Sequence, residues 1–319
     1  MKILVTRKWP ASVEASLAEL WDVTFNSGDR PMDAEALMAA ARDYDVICPT
    51  VTDRVGADIL EQPNRRVRLL CNYGAGFEHI DLDACRRAGV AVSNTPDVLT
   101  DATAELAILL MLMVARRAGE GERELRAGQW SGWRPTHLLS SQMTGKTLGL
   151  IGFGRIAQRT AAFASGFGMT ILYHSRSQAP AAIEQQLSAK YCGDLTDLLE
   201  RSDFVSLHCP GGPATDGLMN AQRLGQMRST AFLVNTARGS VIDDIALAAA
   251  LHDGAIAGAA LDVFRGEPLI SKALLGAPNL VMLPHLGSAT TETRTAMGLR
   301  ALANLQRWAV GKDLLDRVA

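Results

Sequence analysis

The 319-residue chain lacks any hydrophobic run of membrane-spanning length. Its most apolar stretch, "LAILLMLMVA" (106–115), is half of the roughly 20 residues that a helix needs to cross a bilayer. It reads as a buried helix, and no membrane partner is expected. An excess of one charge is also missing: 32 Lys and Arg against 34 Asp and Glu leave a formal net charge of −2. Without a basic stripe there is no electrostatic footprint for nucleic acid, and no block of like charges marks a tail. Cysteine is sparse. Cys48, Cys71, Cys85, Cys192 and Cys209 are scattered, odd in number and free of any C-x-x-C pair. That pattern argues against disulfides and zinc, and for reduced thiols in a cytoplasmic protein. The opening "MKILVTR" reads as a β-strand and shows no signal-peptide cleavage pattern. Low-complexity segments and fixed-period repeats are absent as well.

What is present is alternation. The length suits two domains, and a 48% hydrophobic content supplies their cores. A first series of β-branched or apolar runs covers 2–6, 22–25, 45–49, 67–72 and 90–94, with helical patterns such as "DAEALMAAAR" (33–42) between them. A second series covers 147–152, 170–174, 204–209, 231–236, 258–263 and 280–284. Strand–helix alternation of this kind predicts α/β architecture with parallel sheets wound on both faces, one for each series. The first series ends near Pro96, where a long helix begins with Asp101 as its expected N-cap. The stretch 288–309 reads as one helix that either domain can accept.

"GLIGFGRIA" (149–157) follows a predicted strand and opens a predicted helix. Gly152 permits a tight turn, Gly154 allows phosphate oxygens to approach the backbone, and Ala157 lets helix and strand pack closely. The helix N-terminus then offers N–H groups to a pyrophosphate. The next strand ends in "HSRS" (174–177), where an NAD-binding chain carries an acid that accepts from the ribose hydroxyls. Ser175 removes the repulsion that an acid would exert on a 2′-phosphate, and Arg176 supplies a charge to hold one. The reading is NADP, with NADPH preferred over NADH. A plain solvated turn is the alternative.

"NTARGSVID" (235–243), "LDVFRGEP" (261–268) and "PHLGSAT" (284–290) each place a charged or titratable residue at or just past a predicted strand end. Those ends form the ligand crevice of an open parallel sheet, so Arg238, Glu267 and His285 are expected to converge. Together with "NYGAGFEHIDLDACRRAGVAVSNTP" (72–96), these motifs resemble, in order and spacing, the D-isomer-specific 2-hydroxyacid dehydrogenase family. Within it the glyoxylate/hydroxypyruvate reductase branch is nearest, and the similarity spans essentially the whole chain.

The resemblance implies a flavodoxin-like substrate domain (1–98 and 288–319) into which a Rossmann coenzyme domain (99–287) is inserted. It also implies a cleft active site and a homodimer. It assigns catalysis to Arg238, Glu267 and His285, and substrate binding to Arg238 and the amides of Ala75 and Gly76. Cofactor contacts fall on Gly154, Arg155, Ile156, Ser175, Arg176, Ser177, Cys209, Pro210, Thr236, Asp262, His285 and Gly287. No metal is implied. "EHIDLD" (78–83) is better explained by Asp81 as a helix cap than by metal ligation. Trp130 and Trp133 are either near the substrate pocket or simply packed.

The residue types suit reduction of a 2-keto acid. Imidazole is the side chain whose ordinary pKa, about 6.5, lies nearest neutrality, which makes His285 the expected proton donor. A carboxylate beside it favours the imidazolium and fixes its orientation. A guanidinium grips carboxylate and ketone oxygens together and polarises the carbonyl. Alternative readings are a reductase of bulkier 2-keto acids such as phenylpyruvate and a dinucleotide-sensing binding protein on the same fold.

Overall fold

Both series of apolar runs form parallel sheets in the computed structural model, which describes residues 1–319. One unit comprises Met1–Leu99 and Ser288–Ala319, the other Thr100–Gly287.

In the first unit the strands are β1 (Lys2–Val5), β2 (Asp22–Phe25), β3 (Val46–Cys48), β4 (Leu69–Cys71) and β5 (Ala91–Ser93), in the order β2-β1-β3-β4-β5. This is the flavodoxin-like order, with its switch point between β1 and β3. Strands β3, β4 and β5 are buried at every position, so they read as continuous apolar runs rather than alternating ones. The helix Thr291–Ala309, which sequence left to either domain, belongs to this unit. Met297, Ala301 and Leu305 on it join Leu17, Leu69 and Cys71 in one core. Gly298 permits the approach, because a Cβ there would stand 2.8 Å from Val13.

The second unit holds β6 (Thr147–Ile151), β7 (Thr170–His174), β8 (Ala189–Tyr191), β9 (Phe204–Leu207), β10 (Phe232–Asn235), β11 (Gly258–Leu261) and β12 (Leu280–Met282). Their order is β12-β11-β10-β9-β6-β7-β8. Counted from β6 this is the Rossmann order 3-2-1-4-5-6 with a seventh strand added, and the switch point lies between β6 and β9. Strand β8 was not expected. It is a three-residue edge strand, "AKY", with one exposed lysine and too little apolar sequence to announce itself.

The run 106–115 lies in the helix Thr100–Ala115, and no helix is long and apolar enough to cross a membrane. Asp101 sits in the first turn of this helix rather than at its cap. There it pairs with Arg159 at 2.9 Å while still complementing the helix dipole.

Candidate active site

Three loops at the C-terminal ends of β10, β11 and β12 carry the titratable residues. Past β12, His285 directs Nδ1 at Glu267 Oε2, 2.8 Å away. A carboxylate only accepts, so Nδ1 carries the proton and Nε2 is left to hold or take another. The other carboxylate oxygen, Oε1, accepts from the Phe264 N–H at 2.8 Å, which fixes the acid from behind. Burial alone would raise the Glu267 carboxyl, but the His285 hydrogen bond and charge, the Phe264 N–H and the Arg238 charge hold it below its ordinary value. His285 adopts φ 57°, the left-handed region that a side chain with a Cβ enters only when its surroundings demand it. Its N–H donates to the Asp262 carbonyl at 2.9 Å.

Arg238 follows β10 and is half-buried. Asn235, fully buried at the end of that strand, shapes the turn: its Nδ2 donates to the Arg238 carbonyl and its Oδ1 accepts from the Ala237 N–H, both at 2.9 Å. Gly239 brings the Arg238 turn against the next loop. A Cβ there would overlap the Phe264 carbonyl carbon and the Arg265 nitrogen, so no other residue fits without moving backbone. Asn235 and Gly239 were missed in the sequence. Both stand inside "NTARG", but their role is a long-range backbone approach that spacing does not reveal.

In the first unit the loop after β4 is organised by buried amides. Asn72, fully buried, donates through Nδ2 to the carbonyls of Gly74 and Gly76, both at 2.9 Å, and its Oδ1 lies 3.0 Å from His79 Nε2. Asn94 donates to the Ala75 carbonyl at 2.8 Å, and the Thr95 N–H reaches the Gly74 carbonyl at 3.0 Å. All three carbonyls of the turn are thereby taken, so the polar groups it retains for other use are amide N–H donors. The "PTVTD" loop after β3 is tied down similarly, with Asp53 accepting from Thr6 Oγ1 at 2.6 Å and the Thr50 N–H at 2.7 Å. Asp81 caps its helix by accepting from the Ala84 N–H.

The glycine-rich turn lies at the β6–β9 switch point. Gly152 has φ 88°, and a Cβ on it would stand 2.8 Å from His208 and Cys209 backbone atoms. Gly154 opens the helix Arg155–Ser165 with no side-chain cap, and nothing lies within 4 Å of its Cβ position. Arg155 is exposed and Ile156 half-buried. Past β7, Ser175 Oγ donates to the Ser177 carbonyl at 2.6 Å, while the side chains of Arg176 and Ser177 are exposed. Cys209 is buried and its thiol pushed up to about 11 by that burial, whereas Pro210 is exposed. Thr236 is 9% exposed, and its hydroxyl is buried with no partner. Asp262 turns its two oxygens to the Leu286 and Gly287 N–H groups at 2.7 and 2.8 Å, which sets the backbone beside His285.

His208 is pushed down to about 4 by burial and lies 2.9 Å from Ser206 Oγ, which favours its neutral form. Trp130 and Trp133 are 51% and 82% exposed, which overturns simple core packing for them. A groove of about 590 Å³ lined by Arg117, Glu120, Arg123 and Asn279 lies near the N-terminal ends of β10–β12 and includes none of the candidate residues.

Residues 108–287 match the sequence profile of the D-isomer specific 2-hydroxyacid dehydrogenase NAD binding domain. The chain belongs to this family. A glyoxylate reductase from Aeropyrum pernix is 42% identical over 317 residues, covering 98% of this chain and 93% of its own length. A glycerate dehydrogenase from Hyphomicrobium methylovorum is 37% identical over 300 residues, covering 94% and 93%. The structure of an NADPH-dependent glyoxylate/hydroxypyruvate reductase from Sinorhizobium meliloti, in complex with NADP and malonate, matches with a TM-score of 0.88 and 34% identity. That match covers 100% of this chain and 96% of the other. The residues of this dehydrogenase fit a nicotinamide dinucleotide on their own geometry. An uncapped helix N-terminus offers N–H donors, an open Gly154 clears the approach, and the orphaned Thr236 hydroxyl is a buried group still lacking a partner.

Proposed function

We propose that the protein is an NADPH-dependent reductase of small 2-keto acids, glyoxylate and hydroxypyruvate foremost. The observation that carries this reading is the His285–Glu267 hydrogen bond of 2.8 Å on loops next to the Arg238 turn. When bound, the coenzyme supplies the hydride. Arg238 grips the substrate carboxylate and the ketone oxygen, where negative charge grows. The Ala75 and Gly76 amides take a carboxylate oxygen. His285 donates its Nε2 proton to the developing alkoxide, and Glu267 keeps the imidazole oriented and favours its protonated form. Gly154, Arg155 and Ile156 hold the pyrophosphate, and Cys209, Pro210, Thr236, Asp262 and Gly287 line the rest of the coenzyme path.

Ser175 and Arg176 support NADPH over NADH, because neither repels a 2′-phosphate and the guanidinium attracts one. A charge-assisted bond of about 1.5–3 kcal/mol corresponds to at least about tenfold in discrimination. The test is kcat/KM for glyoxylate, hydroxypyruvate and phenylpyruvate with both coenzymes. Wild type is expected to favour the small acids and NADPH, and Ser175→Asp with Arg176→Ala to reverse the coenzyme preference mainly through KM. A wild type that favours NADH overturns the reading of the loop. Exposed Leu125, Trp130, Trp133 and Leu139 support a homodimer, which light scattering checks. Five free thiols support a cytoplasmic setting.

A further inference from the structure

The glycine-rich turn and the loop after β7, which on the proposed function would meet a dinucleotide at different points, are joined through one side chain, Tyr173. It is fully buried near the end of β7. Its ring stacks on Phe153, the residue between Gly152 and Gly154, with centroids 3.8 Å apart and planes at 17°. Its hydroxyl donates to Glu184 Oε1 at 2.6 Å and accepts from the Ala179 N–H at 2.8 Å. Glu184 also receives Gln178 Nε2, at 3.0 and 3.1 Å from its two oxygens. From the neighbouring strand, the Tyr191 hydroxyl donates to the Ser175 carbonyl at 3.2 Å. The Gly152 N–H closes the circuit on the His174 carbonyl at 2.8 Å. The loop that carries Ser175, Arg176 and Ser177 is thus fastened at both ends, while the Arg176 and Ser177 side chains stay exposed.

We propose that Tyr173, Glu184 and Tyr191 are positioning residues for coenzyme selection, holding the 175–177 loop in the shape that receives a 2′-phosphate and at a set distance from the Gly152–Gly154 turn. The inference rests on the reading of Ser175 and Arg176 as the 2′-phosphate site. An exposed loop that is ordered only on binding loses affinity to the entropy of ordering, whereas a loop fastened beforehand does not. A carboxylate beside a phosphate-binding loop is otherwise counterproductive, since it repels the ligand. Glu184 keeps its charge, but its oxygens are turned to Tyr173 and Gln178, so what it contributes there is the fixed shape of the loop. Burial, with the Glu184 bond added, pushes the Tyr173 hydroxyl up to about 12, so it remains a donor at every physiological pH.

The test is calorimetric titration with 2′,5′-ADP and with 5′-AMP, which differ only in the 2′-phosphate that the loop would read. Wild type is expected to bind 2′,5′-ADP more tightly. Tyr173→Phe keeps the ring stack but loses the hydroxyl, and Glu184→Ala loses the acceptor. Each is expected to weaken 2′,5′-ADP about five- to tenfold and 5′-AMP less than about twofold, with KM for NADPH rising in step and kcat retained. Glu184→Gln keeps an acceptor for the tyrosine and is expected to recover most of the loss. Tyr191→Phe, at a less buried position, serves as a second variant should Tyr173→Phe fold poorly. Equal weakening of both probes, or none, overturns the proposal while leaving a discriminating wild type and its 2′-phosphate site intact. A wild type that does not distinguish the probes removes that site, and this proposal with it.

Discussion

The two units share a winding pattern but equip their loops differently. Each has a switch point and a crevice at the C-terminal ends of its strands. In the first unit the turn after β4 is shaped by neutral side chains: Asn72 is fully buried, and its contacts with Gly74, Gly76 and His79 lie at 2.9 to 3.0 Å. What such a loop can offer a ligand is backbone N–H. In the second unit the loops after β10, β11 and β12 present charged side chains, and the His285 and Glu267 side chains are 35% and 32% exposed. Binding by preset amides needs no titration, and proton transfer does. On the proposed reading one region positions and the other reacts, and damage to each should leave a different signature.

The largest effect is expected in the reacting region. His285→Ala removes the only candidate proton donor on these loops while leaving the Asp262 bonds to Leu286 and Gly287 in place. General acid catalysis contributes typically about 10²–10⁴-fold, so kcat for glyoxylate should fall by about that factor. Affinity for 2′,5′-ADP should stay within about twofold, because the pyrophosphate turn and the 175–177 loop are untouched. Steady-state turnover beside calorimetry checks both halves. Near-normal turnover would take His285 out of the chemistry and erase the contrast between the units.

The positioning region should fail in the opposite way. Asn72→Ala removes the side-chain donor from the Gly76 carbonyl, one of two donors from the Gly74 carbonyl, which keeps the Thr95 N–H, and the contact with His79 Nε2, at about 1–3 kcal/mol for a buried group left unsatisfied. The urea midpoint should drop, and KM for the keto acid should rise at least about tenfold as the Ala75 and Gly76 amides lose their fixed aim. Turnover at saturating substrate should suffer far less, since the loss is in binding shared by ground and transition states. A fall in kcat without a change in KM would show that this loop takes part in the chemical step and is not merely a cradle.

Much of the architecture is legible in the sequence because buried parallel strands are continuous apolar runs. Val46–Cys48 and Leu69–Cys71 show this, being buried at every position. Strand β8 is illegible for the converse reason: Lys190 is exposed, and a three-residue edge strand buries too little to leave a pattern. Asp101 is a capping residue by type but lies one position inside a helix that starts at Thr100, which local propensity does not resolve. At the site, Arg238, Glu267 and His285 are legible because each follows a strand. Gly239, Asn235 and Asn72 are not, because what they do depends on which distant backbone arrives beside them. The Tyr173–Glu184 bond is hidden likewise, since the strand and helix that supply it are separated by the loop they fasten.

The smallest effect, and the sharpest test of the contrast, is expected from Glu267→Gln. The amide oxygen can still accept from His285 Nδ1, while its NH2 cannot replace Oε1 as acceptor for the Phe264 N–H, so the charge and one of the two hydrogen bonds are lost. At neutral pH kcat should fall by only about tenfold or less, below the His285→Ala loss. Stability should respond with a definite sign. Despite burial, the His285 bond and charge hold the Glu267 carboxyl below its ordinary value. Its contribution is therefore present above the unfolded glutamate pKa, about 4.3, and is lost as pH falls through the lower folded value. Wild type should exceed Glu267→Gln in thermal midpoint at pH 7 and converge with it in acid, whereas Asn72→Ala, which removes no charge, should lose a similar amount at both. A Glu267→Gln deficit that persists undiminished in acid would mean that the carboxylate serves as shape alone, and that the two units differ less than their side chains suggest.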